Sequence, residues 1–464
     1  MASTYNDLIF DPELIRRFDV SGPRYTSYPT ADRFVEAFDA GRYAMWLRKR
    51  TVGGITRPLS LYVHIPFCNT VCYYCGCNKI VTKDHSRSAK YLKVLDKEMG
   101  LAAGMVEGGH EVVQLHFGGG TPTFLSDDEL HEAMDSIRRR FTLVPNGEYS
   151  IEVDPRKVSP ETVALLGQFG FNRMSVGIQD FDPLVQGAVN RIQSVGETQA
   201  VIEAARASGF KSVSVDLIYG LPKQNVISFN RTLETIISLS PDRVSVYHYA
   251  HLPRVFKPQR RIEEADLPSA DARLHILQLA IRRLTEAGYV YIGMDHFAKP
   301  DDELAVAQRQ GRLHRNFQGY STYAECDLLA FGVSAISKVG PTYAQNHKTI
   351  EEYYDALDRD TLPVFRGIEL SADDLLRRSI IQALMCHFEL SIESIEIAHL
   401  IDFKSYFARE LVDLRDMEKA ELLRIDERWI SVLARGRMLV RAIAMVFDRY
   451  LRADRDRARY SKVI

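Results

Sequence analysis

Residues 61–79, LYVHIPFCNTVCYYCGCNK, hold four of the chain's six cysteines, at positions 68, 72, 75 and 77. They follow directly on Leu61-Tyr62-Val63-His64-Ile65, which reads as a buried strand. Thiols crowded into a short loop at a strand end make a ligand loop, and their spacing bears on the metal. Zinc prefers four closed ligands, as two Cys-x-x-Cys knuckles or knuckles completed by histidines. No second knuckle follows, and Cys326 and Cys386 stand alone. Cys68-x-x-x-Cys72-x-x-Cys75 instead brings three thiolates around one compact object, as iron–sulfur clusters require. Four irons and three thiolates leave one iron open to a small chelating molecule. The bland alternative is a zinc-stapled or merely reduced Cys-rich loop.

That spacing resembles the cluster loop of the radical S-adenosylmethionine (radical SAM) enzymes, and Tyr74, just before the last ligand, fits the same pattern. The resemblance implies that the amino and carboxylate groups of SAM chelate the open iron. Reductive cleavage then yields a 5'-deoxyadenosyl radical, so that the cofactor carries the hard chemistry and the protein positions and shields it.

The composition sets bounds. At 464 residues the chain is long enough for one large domain and a smaller one. Its 46% apolar and 26% charged residues are those of an ordinary globular protein. A net charge of −2 recruits neither nucleic acid nor membrane, and no apolar run approaches the ~20 residues of a membrane span. The start, MASTYNDLIFDPELIRRFD, is acidic and polar where a signal peptide would be basic and then apolar. Free thiols kept for iron point to a reducing cytoplasm.

Outward from the loop, residues 59–297 alternate short β-rich runs with helical stretches, the pattern of a parallel sheet. Strands are expected near 60–66, 112–117, 148–153, 172–178, 212–218 and 243–249. Helices are expected over 86–106, 126–140, 159–169, 182–208 (broken) and 226–239. Six such units make a partial (βα)6 TIM-like barrel or an open α/β sheet, and in either the site lies at the C-terminal strand ends. The unusual residues obey this. Strand 1 ends in the cysteines, strand 2 in Gly118-Gly119-Gly120-Thr121-Pro122, and strand 3 carries Glu152. Strand 4 ends in Gln179-Asp180, strand 5 holds Asp216, and strand 6 runs into Tyr247-His248-Tyr249-Ala250-His251.

Each has a physical use. Consecutive glycines let backbone approach a ligand and offer it N–H groups, where a plain βα turn needs only one. Glu152 is an acid inside an apolar run, and strands rarely bury a carboxylate without a partner. A ribose or ammonium group would serve; so would an internal salt bridge. Gln179 and Asp216 repeat the argument, and Arg191 either neutralises a carboxylate or is a solvated surface group.

CGCNK, GGGTPT, EVDPR, GIQDF, VNR, DLIYGLP, YAHLP, GMDHFAKPDDELA, HRNFQGY and GVSAIS together are similar to the oxygen-independent coproporphyrinogen III oxidase (coproporphyrinogen dehydrogenase) family, from RYTSYPTA to the terminal SKVI. The resemblance implies one [4Fe–4S] cluster on Cys68, Cys72 and Cys75, and two SAM molecules. Tyr62, Gly119, Glu152 and Ile336 line the first. Tyr74, Gly120, Thr121, Gln179, Arg191, Asp216 and Ala250 line the second. Cys77 is the odd thiol, and its place beside the cluster suggests a mechanistic role over that of a core cysteine. The implied reaction turns two propionates of coproporphyrinogen III into vinyl groups, giving protoporphyrinogen IX, with an external electron donor and acceptor. A methyltransferase or ring-opening enzyme on a tetrapyrrole, or a haem-binding chaperone, are the rivals.

The flanks divide the chain into an N-terminal extended segment (1–35), a catalytic barrel domain (36–365) and a smaller C-terminal helical cap (366–464). Gly22-Pro23-Arg24-Tyr25-Thr26-Ser27-Tyr28-Pro29 is either a strap or a flap over the site. Residues 298–365 mix glycines and polar groups that could close the barrel's open side. Helices are expected over 371–386, 391–399, 403–418 and 437–452, with a hairpin at 423–432. That order is similar to a winged helix, but acidic residues run through it and argue against a phosphate-binding face. Arg449, Arg452, Arg455 and Arg457 read as a solvated helix face. Arg24 and Arg191 are candidates to hold propionates, and a monomer is expected.

Overall fold

Short apolar runs separated by capped helices build the parallel sheet. The computed structural model describes residues 8–51, 54–323 and 326–453. Its parallel strands are β1 (Leu59–Ile65), β2 (Glu111–Gly119), β3 (Thr142–Val153), β4 (Arg173–Gln179), β5 (Ser212–Tyr219) and β6 (Arg243–His248), each hydrogen-bonded to the next. Between them run α1 (Ser86–Ala103), α2 (Asp127–Arg138), α3 (Pro160–Gln168), the broken pair α4 (Pro183–Ala188) and α5 (Val195–Ala207), and α6 (Val226–Leu239). Local chemistry starts these helices where the sheet needs them. Ser126 with Glu129, and Ser194 with Glu197, form reciprocal capping boxes at the heads of α2 and α5. Leu61, Val63, Leu115, Ile151 and Val215 are wholly buried.

β1 is central. On its other side it pairs in parallel with β7 (Asp327–Phe331), which leads into the antiparallel strands β8 (Ile336–Val339), β9 (Thr342–Asn346) and β10 (Val364–Glu369). Across these ten strands the order is β10-β9-β8-β7-β1-β2-β3-β4-β5-β6. The sequence reading assigns no strands to this stretch. Every residue of β7 and β9 is buried, so neither shows the in–out alternation that marks a strand.

The chain forms two compact units. One contains Phe34–Ile276 and Glu325–Glu369; the other contains Met1–Arg33, Leu277–Ala324 and Leu370–Ile464. This partition differs from cuts at 35/36 and 365/366. Leu277–Ala324 groups with the two ends because Ile292, Ala298, Leu304, Leu313 and Tyr320 share a core with Cys386, and Gln308 Nε2 donates to the Cys386 carbonyl at 3.1 Å.

Within that second unit the C-terminal helices are Ala372–His387, Ile392–His399, Phe403–Tyr406 and Ala408–Lys419. The expected hairpin gains a third strand, Glu389–Ser391, beside Leu423–Ile425 and Trp429–Val432. The single helix expected over 437–452 is instead three short pieces, Arg437–Leu439, Val440–Met445 and Arg449–Ala453. Tyr25 and Tyr28 are each 1% exposed. Tyr25 donates to Asp448 at 3.0 Å, and Tyr28 accepts from the Arg449 N–H at 3.2 Å, so the tyrosine segment is tied down as a strap. The solvated-face reading of the terminal arginines is corrected for two of them. Arg449 pairs with Asp373 and Asp374, and Arg452 with Asp413, because acids on the preceding helices face them. Arg455 and Arg457 lie outside the described residues.

Candidate active site

The cysteine loop is held from both sides. The two-residue strand Phe67–Cys68 pairs with Ile80–Val81, and the Tyr73 N–H donates to the Val189 carbonyl at 2.9 Å. Asn190 Nδ2 donates to the Val71 carbonyl at 2.8 Å. All six cysteines are free thiols. Cys68, Cys72, Cys75 and Cys77, with Tyr74, line a cavity of about 320 Å³ at the C-terminal strand ends. Among the described residues no three His, Cys, Asp or Glu side chains converge as a single-ion site. The thiols are set around a space instead, the arrangement a four-iron cube needs. Burial pushes the Cys68 thiol up to about 11, with the Thr121 hydroxyl pulling back; iron would supply the positive charge that a bare buried thiolate lacks. The Cys77 thiol hydrogen-bonds to Cys75 and holds it below the ordinary thiol value, while Cys77 itself is pushed up.

The glycine run behaves differently from the expectation of free N–H donors. Gly119 donates to Glu152 Oε2 at 3.2 Å, Gly120 to the Ile65 carbonyl at 2.8 Å, and Thr121 to the Phe67 carbonyl at 2.9 Å. The missing Cβ atoms leave room for the protein's own groups. A Cβ on Gly119, whose φ is +117°, would meet the His64 ring at 2.7 Å, and one on Gly120 would meet the Pro66 carbonyl at 2.7 Å. The run therefore seals the end of β2 onto the end of β1 and forms part of the cavity wall.

Glu152 has an internal partner. His116 Nε2 lies 3.3 Å from its Oε1, and His116 Nδ1 lies 2.5 Å from Ser150 Oγ. Burial raises the Glu152 pKa, but the His116 hydrogen bond and charge, with the Gly119 N–H, outweigh it and hold the carboxyl below its ordinary value. Its side chain is still 46% exposed, toward the cavity. Tyr62 stacks on the His116 ring at 5.8 Å and bonds His64 Nδ1 at 3.1 Å.

Arg191 is buried, not solvated. It reaches Cys72 Sγ at 3.6 Å, Asp154 Oδ2 at 3.4 Å and the Gly177 carbonyl. Arg156 bonds the same Asp154 oxygen at 2.6 Å and approaches Cys72 Sγ at 3.9 Å. Two guanidiniums thus share one carboxylate and one sulfur. Gln179, at φ +71°, sits on a bulge between β4 and β5. Asp216 accepts from Ser175 Oγ at 2.9 Å, and burial pushes it up to about 6.

Of the residues singled out in the sequence, the cavity gathers the four cysteines with Tyr74, Gly119, Gly120, Thr121, Glu152, Gln179, Arg191 and Asp216. Tyr62, Ala250 and Ile336 are not on its wall. Tyr62 stacks on His116, which in turn bonds the wall residue Glu152, and Ala250 shares the Gln259 side chain with the Tyr74 carbonyl. Ile336 starts β8, opposite Gln345. Arg24 is paired with Asp295 in the other unit. Sequence reasoning missed Asp154 and Arg156, although opposite charges two apart at a strand end were visible. It also missed His116, which only the register opposite Ser150 brings to Glu152.

Three thiols about one cavity at the end of the first strand, with acids on the neighbouring strand ends, define a protein class. Residues 62–236 match the radical SAM superfamily, and the chain is a member of it. It is 51% identical to the oxygen-independent coproporphyrinogen III oxidase of Pseudomonas aeruginosa, over 98% of this chain and 99% of that one. It is 48% identical to the Escherichia coli enzyme of the same name, over 98% of each. A solved structure of coproporphyrinogen III oxidase from Escherichia coli, described as a radical SAM enzyme, matches with a TM-score of 0.91 and 47% identity, over 96% of this chain and 100% of that one. The chain belongs to the oxygen-independent coproporphyrinogen III oxidase family.

Proposed function

We propose that this chain decarboxylates two propionate side chains of coproporphyrinogen III oxidatively, giving the vinyl groups of protoporphyrinogen IX in haem biosynthesis. The observation that carries the proposal is one cavity holding Cys68, Cys72 and Cys75 together with Glu152, Gln179, Arg191 and Asp216. When bound, a [4Fe–4S] cluster with S-adenosylmethionine supplies a primary carbon radical able to take the unactivated β-hydrogen of a propionate, which no acid or base could ionise.

The chain's own residues hold and shield. Cys68, Cys72 and Cys75 ligate the cluster. Tyr62, Gly119, Glu152 and Ile336 hold a first SAM, with Glu152 kept anionic by His116. Tyr74, Gly120, Thr121, Gln179, Arg191, Asp216 and Ala250 hold a second. Arg191 and Arg156 place positive charge beside the Cys72 sulfur. Cys77, beside Cys75 and open to the cavity, is assigned a role in the chemistry. A monomer in a reducing cytoplasm, fed by an external electron donor, completes the reading. No helix among the described residues is long and apolar enough to cross a membrane.

The test compares native protein with Cys72→Ser in an anaerobic assay with coproporphyrinogen III. The variant is expected to keep its fold and lose iron and product. Turnover unchanged in the variant would overturn the assignment, and product without vinyl groups and CO₂ would redirect it to another reaction.

A further inference from the structure

One loop outside the cavity covers the cysteine loop directly and presents positive charge to solvent. Residues 252–261, LPRVFKPQRR, follow β6. Gln259 is buried and donates to the Tyr74 carbonyl at 2.9 Å. The Phe256 ring packs where a Cβ on Gly76 would stand, 3.0 Å away, and the Arg261 guanidinium lies 5.3 Å from the centre of the Tyr73 ring. The loop is thus in contact with Tyr73, Tyr74 and Gly76, the residues that flank Cys75.

Its outer side is of another kind. Arg254, Lys257, Arg260 and Arg261 are all exposed. Arg254 and Lys257 make no ion pair among the described residues, while Arg260 bonds only the Pro253 carbonyl, at 3.0 Å. Between them Val255 is 67% exposed, and Leu252 is 37% exposed. Ile192, 73% exposed, lies two residues after Asn190, which bonds the Val71 carbonyl of the cysteine loop. The acids that follow, Glu263 and Glu264, come after the basic run, and Asp266 is turned to Lys223. Unpaired cations around an exposed apolar residue favour an acidic partner, which they steer by charge and hold by a small dry contact.

We propose that the 252–261 loop is the docking face for a small acidic one-electron carrier protein. The idea rests on the functional reading above, which requires an external electron. One electron leaves the reduced carrier and crosses the loop to the cluster on Cys68, Cys72 and Cys75. No bond or proton moves, and the carrier is left one electron more oxidised. Weak, salt-sensitive encounters over a small area are the rule for such pairs. Steering acts over about 10 Å at 0.1 M salt.

The test uses flavodoxin as the probe and the triple variant Arg254→Glu/Lys257→Glu/Arg260→Glu. Calorimetry at low ionic strength measures binding of oxidised flavodoxin, and stopped-flow absorbance measures cluster reduction by the reduced form. Both should weaken by on the order of tenfold or more in the variant, and in the native protein on adding salt. Dithionite-driven release of 5'-deoxyadenosine should be unchanged by the substitutions. If native protein releases none with dithionite, the functional reading fails. If it does, yet the variant binds and accepts electrons from flavodoxin as fast as native protein, or native protein does not bind it, the docking proposal alone fails. A dimer in sedimentation that the variant dissolves would also overturn it, by making the loop a self-contact. If the triple reversal misfolds, Arg254→Gln/Lys257→Gln gives the same comparison with a smaller factor.

Discussion

Two carboxylates on either side of β1 are treated in opposite ways. Glu98, on α1, is 3% exposed, and three neutral donors close on it. The Gly332 N–H donates at 2.8 Å, Tyr353 Oη at 2.5 Å and Asn346 Nδ2 at 2.6 Å, fastening α1 to the end of β7, to β9 and to the helix Ile350–Asp358 between β9 and β10. Glu152, on β3, has one backbone donor and one histidine, and keeps nearly half its side chain open to the cavity. Burial lifts Glu98 to about 7 against the pull of its donors. Burial acts on Glu152 as well, but His116 and Gly119 prevail and keep it below its ordinary value. A carboxylate closed in by three buried donors is a bolt; one held anionic and open to a cavity awaits a cation or hydroxyl.

Removing each acid should separate these roles. Glu98→Ala strands three buried donors and leaves a cavity, and is expected to cost about 3–5 kcal/mol in urea unfolding at pH 5. Turnover per cluster-loaded molecule should stay at the native level. Glu98 also sets a pH slope. Its folded pKa, about 7, is above the ordinary carboxyl value of 4.5, so between the two the folded state holds a proton the unfolded state has lost. Its contribution is full below about pH 4.5 and is lost as pH rises to about 7, roughly 3 kcal/mol in all; the variant should lack that slope. Loss of turnover with unchanged stability would break the comparison at this end.

Glu152→Gln is the reverse case. A charged hydrogen bond to ligand is worth about 1.5–3 kcal/mol, so 5'-deoxyadenosine formation should fall roughly tenfold to more than a hundredfold. Unfolding should shift by less than about 1 kcal/mol, because the carboxylate is already half open. Should Glu152→Gln unfold the protein as readily as Glu98→Ala, the acid serves the fold and not the cavity.

How far the sequence could see follows the same divide. The six parallel strands, their helices and the cysteine loop were legible because period and spacing are local properties. So was the convergence of Glu152, Gln179 and Asp216, since a parallel sheet brings successive strand ends to one edge. What was hidden depends on register or on distant pairing. His116 meets Glu152 only because β2 and β3 align His116 with Ser150. The glycines' engaged N–H groups require knowing that Ile65 and Phe67 lie opposite them. Glu98 sits 234 residues from Gly332, and nothing in α1 announces that contact. Arg449 looked solvated because its partners, Asp373 and Asp374, are on another helix.

Asp216 offers the finest test, because it lies between the two extremes. It faces the same cavity as Glu152, yet burial pushes it up to about 6 against the pull of two hydroxyls, Ser175 Oγ at 2.9 Å and that of Ser245. Below about pH 6 Asp216 is neutral and gives up its charge as an acceptor, so uptake of the second SAM should rise with pH through a midpoint near 6. Uptake of the first, at a Glu152 held below its ordinary value, should be flat across that range. Ser175→Ala removes one hydrogen bond that favours the anion. A bond of about 0.5–1.5 kcal/mol moves the midpoint upward by at most about one pH unit, since one unit is about 1.4 kcal/mol. Equilibrium dialysis of SAM from pH 5 to 8 reads both sites by stoichiometry. A midpoint that stays put in Ser175→Ala, or first-site binding that moves with it, would mean that the two acids do not divide the cavity between them.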